Sequence, residues 1–151
     1  MRLLKLLLAL GGLAAAGCGS GESPLRQEEV ELQTEVELKA GEGLEEAVQV
    51  DSVRWGLGLF NFTVPEAVEI DGSFRIFFRN RADQDLEIRY ELHFFTADTF
   101  LIDHFVPFGQ PLRLEPGQTQ EAAGEFIIQI GAVEDLRLIT IMRVVVRTQA
   151  P

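Results

Sequence analysis

Apolar and polar residues alternate one by one along most of this chain, and a two-residue period specifies strands rather than helices. Phe74, Ile76 and Phe78 alternate with Ser73, Arg75 and Arg79. After a polar run at 80–85 the pattern resumes, with Ile88, Tyr90, Leu92 and Phe94 set against Glu87, Arg89, Glu91 and His93. Two such runs joined by a short polar turn predict a β-hairpin. Upstream, Val48, Val50 and Val53 lead into Trp55-Gly56-Leu57-Gly58-Leu59-Phe60-Asn61-Phe62. Glycines inside a strand-like run mark a bulge or a close backbone approach.

Downstream lie an apolar segment at 100–108, a short strand near 112–114 and the turn Glu115-Pro116-Gly117-Gln118. A strand at 120–130 follows, and a last one at 136–147, where Leu136, Leu138, Met142, Val144 and Val146 share one parity. Only residues 43–47 leave room for a short helix, and no internal repeat is visible. The fold class expected is all-β: an antiparallel β-sandwich of about seven to nine strands. A small closed barrel is the alternative.

The first residues follow a different rule. Arg2 and Lys5 precede an apolar stretch at 6–13, then Ala14-Ala15-Ala16-Gly17 and Cys18, the only cysteine. A membrane-spanning helix needs about 20 apolar residues, so this stretch is too short to be one. It resembles a bacterial lipoprotein signal peptide, with Ala15, Ala16 and Gly17 at the lipobox positions before the cysteine and Ala15 where such boxes usually carry Leu. The resemblance implies cleavage before Cys18, acylation of Cys18 with palmitate-type chains, and a cell-envelope location. Gly19, rather than Asp, follows the cysteine, which by the same resemblance favours the outer membrane.

The chain therefore divides into a leader at 1–17, a lipidated cysteine and flexible tether at 18–27, an acidic segment at 28–47 and a β-sandwich at 48–151. Within the acidic segment Val30, Leu32, Val36 and Leu38 sit on one parity, with Glu31, Gln33, Glu35 and Glu37 on the other. A solvated spacer and an edge strand both fit.

Charge narrows the partners. The 24 acidic residues outnumber the 13 basic ones, for a net charge of -11. Such a surface repels phosphate backbones, so nucleic acid is excluded as a partner. With one cysteine, no disulfide forms within the chain.

No catalytic constellation emerges. His93 falls on the polar parity of its strand and His104 in an expected loop, and both read as surface residues. No serine sits in a G-x-S-x-G elbow. Zinc or copper sites need clusters of Cys, His or Met that this pattern does not supply, so no metal or cofactor is expected. Asp83, Asp85, Asp98 and Asp103 read as turn and loop residues.

The 11 Phe residues and one Trp are the remaining candidates. Most belong in a core. Phe94 and Phe95 are adjacent, however, and so point to opposite faces of a regular strand. Phe60 and Phe62 share the parity opposite to Leu57 and Leu59, which makes both faces of that strand apolar. An exposed aromatic patch marks a partner site, and Trp55, Phe60, Phe62 and Phe95 are the candidate partner-binding residues.

Residues 70–130 resemble the immunoglobulin-like FxLYD-type domains of small bacterial lipoproteins. The resemblance rests on the strand at 74–78, the turn at 80–85, the run Phe94-Phe95-Thr96-Ala97-Asp98 and Leu114-Glu115-Pro116-Gly117. Leu92-His93-Phe94-Phe95-Thr96 stands where that family carries Phe-x-Leu-Tyr-Asp. Water-stress domains are similar in outline, with Asn80-Arg81-Ala82 where they carry Asn-Pro-Asn. The resemblance implies an immunoglobulin-like antiparallel β-sandwich after the leader, and no particular chemistry. The function expected is a non-catalytic, lipid-anchored cell-envelope interaction module that binds an envelope protein. The alternative is a small-ligand or lipid carrier with an aromatic-lined cavity.

Overall fold

The computed structural model describes residues 32–64, 67–131 and 139–151, with side chains described outside 59–67. Cys18, the leader and the tether lie outside the described residues, as do 132–138 at the start of the last expected strand. Among the described residues there are eight strands and no helix. They are β1 (Gln33–Ala40), β2 (Val48–Val64), β3 (Ala67–Asn80), β4 (Leu86–Phe95), β5 (Leu101–Phe105), β6 (Leu112–Leu114), β7 (Thr119–Ile130) and β8 (Ile141–Gln149). The larger sheet runs β1-β8-β4-β5, with β6 also on β4, and the smaller runs β2-β3-β7. The all-β sandwich expected from the alternation is the architecture found.

The alternation does the sorting. Val68, Ile70, Phe74, Ile76 and Phe78 of β3 face Ile88, Tyr90, Leu92 and Phe94 of β4 across one buried core. Phe126 and Ile128 of β7 and Met142, Val144 and Val146 of β8 complete it. Each such side chain, moved out of water, stabilises the fold by about 1.5–3 kcal/mol. Phe94 and Phe126 approach to 4.7 Å between ring centroids, and Phe78 and Tyr90 to 5.2 Å.

Two glycines make room for these rings. A Cβ at Gly72 would lie 2.2 Å from the ring of Phe126, its cross-strand partner. One at Gly124 would lie 3.1 Å from the ring of Phe74, its own partner.

The expected hairpin is corrected. β3 pairs with β2 and β7, whereas β4 pairs with β5, β6 and β8, so the turn at 81–85 crosses from one sheet to the other. Both apolar faces are buried against each other rather than side by side. The alternation reports which face is buried but not which strand is the neighbour.

The ladder beneath positions 60 and 62 is irregular. Register shifts interrupt the β2–β3 ladder between Val50 and Ser52 and between Leu57 and Phe60. The second spans Gly58, whose Cβ would lie 3.2 Å from the Asp71 carbonyl oxygen, so the glycines mark a bulge as expected. Each shift flips the parity. Position 60 thus pairs with Ile70 and position 62 with Val68. The side chains of Phe60 and Phe62 themselves lie outside the described residues.

Three smaller differences follow. β1 forms within the acidic segment and pairs with β8 in parallel, so the sandwich is not purely antiparallel and includes residues before 48. Residues 43–47 make turns, not a helix, and bury Leu44 and Ala47 against Leu86. Asp103 and His104 belong to β5 rather than to a loop.

Candidate binding surface

Two of the aromatic candidates have described side chains, and neither forms an open patch. Trp55 is half-buried on β2. Its ring packs 6.0 Å from that of Phe94, and its Nε1 donates to Thr34 Oγ1 of β1 at 3.1 Å. Phe95 does point away from the core, as adjacency to Phe94 requires, yet it is only 8% exposed. The Arg143 guanidinium carbon lies 4.6 Å from its ring centre and covers it. Phe95 is therefore a platform under a cation, not a bare surface.

That platform belongs to a charged lattice on the outer face of the larger sheet. Arg143, opposite His93 on the ladder, reaches Glu35 of β1 at 2.8 Å. Arg113 of β6 and Gln149 of β8 both donate to Glu87, each at 3.0 Å. Arg147 pairs with Glu91, and His93 Nε2 lies 3.1 Å from Glu91 Oε2. The Arg147 hydrogen bond, and then the one to His93, hold the Glu91 carboxyl below its ordinary value of 4.5. Glu91 is thus ionised at neutral pH. His93 also faces His104 of β5, with ring centroids 6.0 Å apart.

The exposed aromatic surface lies elsewhere. Phe108 is 96% exposed at the crest of the loop between β5 and β6, and Phe100 is 73% exposed at the β4–β5 tip. The Phe108 loop is firmly built. The Gln110 side-chain amide accepts from Tyr90 N at 2.7 Å and donates to Tyr90 O at 2.8 Å and to Pro107 O at 2.9 Å. It pairs with β4 where neither β5 nor β6 does. Gly109 turns the chain with a φ of 79°. Pro107 is buried, so Phe108 is lifted outward on a held loop. An open groove of about 660 Å³ runs beside it, lined by Leu57, Phe105, Phe126 and the exposed Ile127.

Sequence reasoning missed Phe108, although a signal was present. Val106-Pro107-Phe108-Gly109-Gln110-Pro111 has two prolines and a glycine, which no central strand accommodates. An aromatic in such a loop has no sheet face to be buried by.

No family model matches the chain, and no curated protein matches it. Among solved structures it is similar to a structural-genomics target, SoR45, at 13% identity and a TM-score of 0.44 over 56% of this chain and 65% of that one. A Campylobacter jejuni protein, cj0090, is similar at 17% identity and a TM-score of 0.35, over 74% of this chain and 97% of that one. A β-glucuronidase of glycoside hydrolase family 2 is similar at 15% identity and a TM-score of 0.33, over 58% of this chain and 8% of that one.

Proposed function

We propose that this chain is a non-catalytic interaction module, held at the cell envelope through acylated Cys18, that docks a protein partner on the Phe108 loop. One observation carries the docking surface: a phenylalanine 96% exposed on a loop clamped by three Gln110 hydrogen bonds. A loop whose backbone is already held loses little ordering entropy on binding, and aromatics are over-represented among residues that dominate binding energy. The groove beside it offers apolar walls for a partner side chain. The envelope location rests on the leader and Cys18. The likeness of residues 70–130 to small lipoprotein sandwiches belongs to the same reading.

In-cell crosslinking of the full chain, followed by mass spectrometry, tests it. Three versions are compared: wild type, Phe108→Ser and Cys18→Ala. The expected result is one dominant envelope protein, lost with Phe108→Ser and depleted with Cys18→Ala. The same partner recovered equally with Phe108→Ser removes the loop from the interface. Recovery unchanged with Cys18→Ala removes the anchor from the reading.

A further inference from the structure

His93 of β4 and His104 of β5 stand directly opposite each other in an antiparallel ladder, so both imidazoles rise from the same outer face. We propose that this pair is a two-histidine chelate for a divalent transition-metal ion of the copper or zinc class, with Glu91 orienting one of the rings. The spacing suits it. Two imidazoles bound to one ion at about 2.0–2.1 Å per nitrogen place their ring centroids about 4.5–5.2 Å apart at the usual coordination angles. Here they are 6.0 Å apart, so a small side-chain rotation brings both nitrogens onto one ion.

The surroundings supply what a ligating histidine needs. Such a ring donates its second nitrogen to a carboxylate, which fixes the tautomer and raises the basicity of the ligating nitrogen. His93 Nε2 lies 3.1 Å from Glu91 Oε2, and the tautomer that donates there offers Nδ1 to an ion. Glu91 is in turn held by Arg147. The one cation beside His93 on the ladder, Arg143, is already committed to Glu35 at 2.8 Å and to the ring of Phe95. Its charge is therefore largely neutralised. His104 is exposed and the His93 side chain is 23% exposed, so an ion can enter and water can complete its shell.

Among the described residues no three His, Cys, Asp or Glu side chains are gathered into a ready-made metal cage. The protein thus provides two ligands and an orienting carboxylate. That describes an open, exchangeable site rather than a structural one. Imidazole pairs favour Cu²⁺ over Zn²⁺ in the usual divalent order.

The test uses the untagged full chain in a Cys18→Ser background, so that neither a polyhistidine tail nor the thiol competes. Calorimetric titration with Cu²⁺ and then Zn²⁺ at neutral pH is expected to give one ion per chain, copper the tighter. His93→Gln and His104→Gln should each abolish binding, and Glu91→Gln should weaken it about 10–100-fold. Circular dichroism confirms that each variant keeps its β-sheet spectrum. Folded protein that takes up neither ion overturns the proposal, as does stoichiometric binding that survives both histidine substitutions. Unchanged affinity in Glu91→Gln overturns the orienting role.

Discussion

Asn80 is 1% exposed, and all of its polar groups are engaged. Its backbone N–H donates to Gln118 O, and its carbonyl accepts from Gly117 N. Its Nδ2 donates to Gln84 O at 2.8 Å and to Leu114 O at 3.0 Å, while its Oδ1 accepts from Ala82 N at 2.8 Å. One side chain thereby ties the crossing from β3 to β4 to the end of β6. Replacing it with alanine leaves buried backbone groups unpaired. Asn80→Ala should destabilise the fold by about 2–3 kcal/mol, since an orphaned buried partner costs roughly 1–3 kcal/mol. Equilibrium urea unfolding checks this: the midpoint should fall with the slope unchanged. Asn80→Asp should be worse, because it loses both donors and adds a buried charge. A midpoint unmoved in Asn80→Ala would mean that the corner is held by its backbone alone. The same residue shows why a hairpin and a crossing look alike in the sequence. A polar turn after Asn80 looks alike whether it links neighbours in one sheet or crosses between two. The bonds to Leu114 and Gln118, more than thirty residues onward, make the difference, and no local pattern carries them.

At the scale of the element, β1 is an edge strand. It pairs only with β8, in parallel, and Val36 and Leu38 remain exposed above an open seam lined by Val48 and Val50 of β2. The alternation of Val36 and Leu38 with Glu35 and Glu37 makes a strand legible. Its neighbour, more than a hundred residues away, is not. What ties β1 to the smaller sheet is Thr34 Oγ1, which accepts from Trp55 Nε1 at 3.1 Å. Thr34→Val keeps the β-branched shape and removes the acceptor. The expected loss is about 0.5–1.5 kcal/mol, the net worth of one such bond. Trp55 is the only tryptophan, so its fluorescence reports this contact directly. The emission of Thr34→Val should shift as the indole N–H turns to water. An emission spectrum and unfolding midpoint identical to wild type would show that β1 is held by the β8 ladder and the Arg143–Glu35 pair alone.

At the scale of the whole molecule, the described residues form two sheets joined by rings, and Tyr90 sits between them. Of the candidate surface, the aromatic wealth was legible in the sequence, but its distribution was not. Bulges at Asp51 and Gly58 shifted the faces of β2, and Arg143 covered Phe95 from a distant strand. Burial decides which aromatic is core and which is surface, and burial is a property of both sheets together. Tyr90, the only tyrosine, measures it. The residue is 4% exposed, and its ring lies 5.2 Å from Phe78 and 6.2 Å from Phe74, both on the opposite sheet. Burial pushes its phenol up to about 12 from an ordinary 10.0. Below pH 10 the phenol is protonated in folded and unfolded chains alike, and its contribution to stability is complete. As the pH rises from 10 towards 12 the unfolded chain loses the proton first, so stability falls across that window. Ultraviolet titration of the folded protein should therefore show no phenolate near pH 10, while the urea-unfolded chain ionises there. Phe78→Ala, which opens the space between the sheets, should bring the folded titration back towards the unfolded one. A phenol that ionises near 10 in the folded wild type would mean that water reaches the ring, and that the two sheets do not close over it.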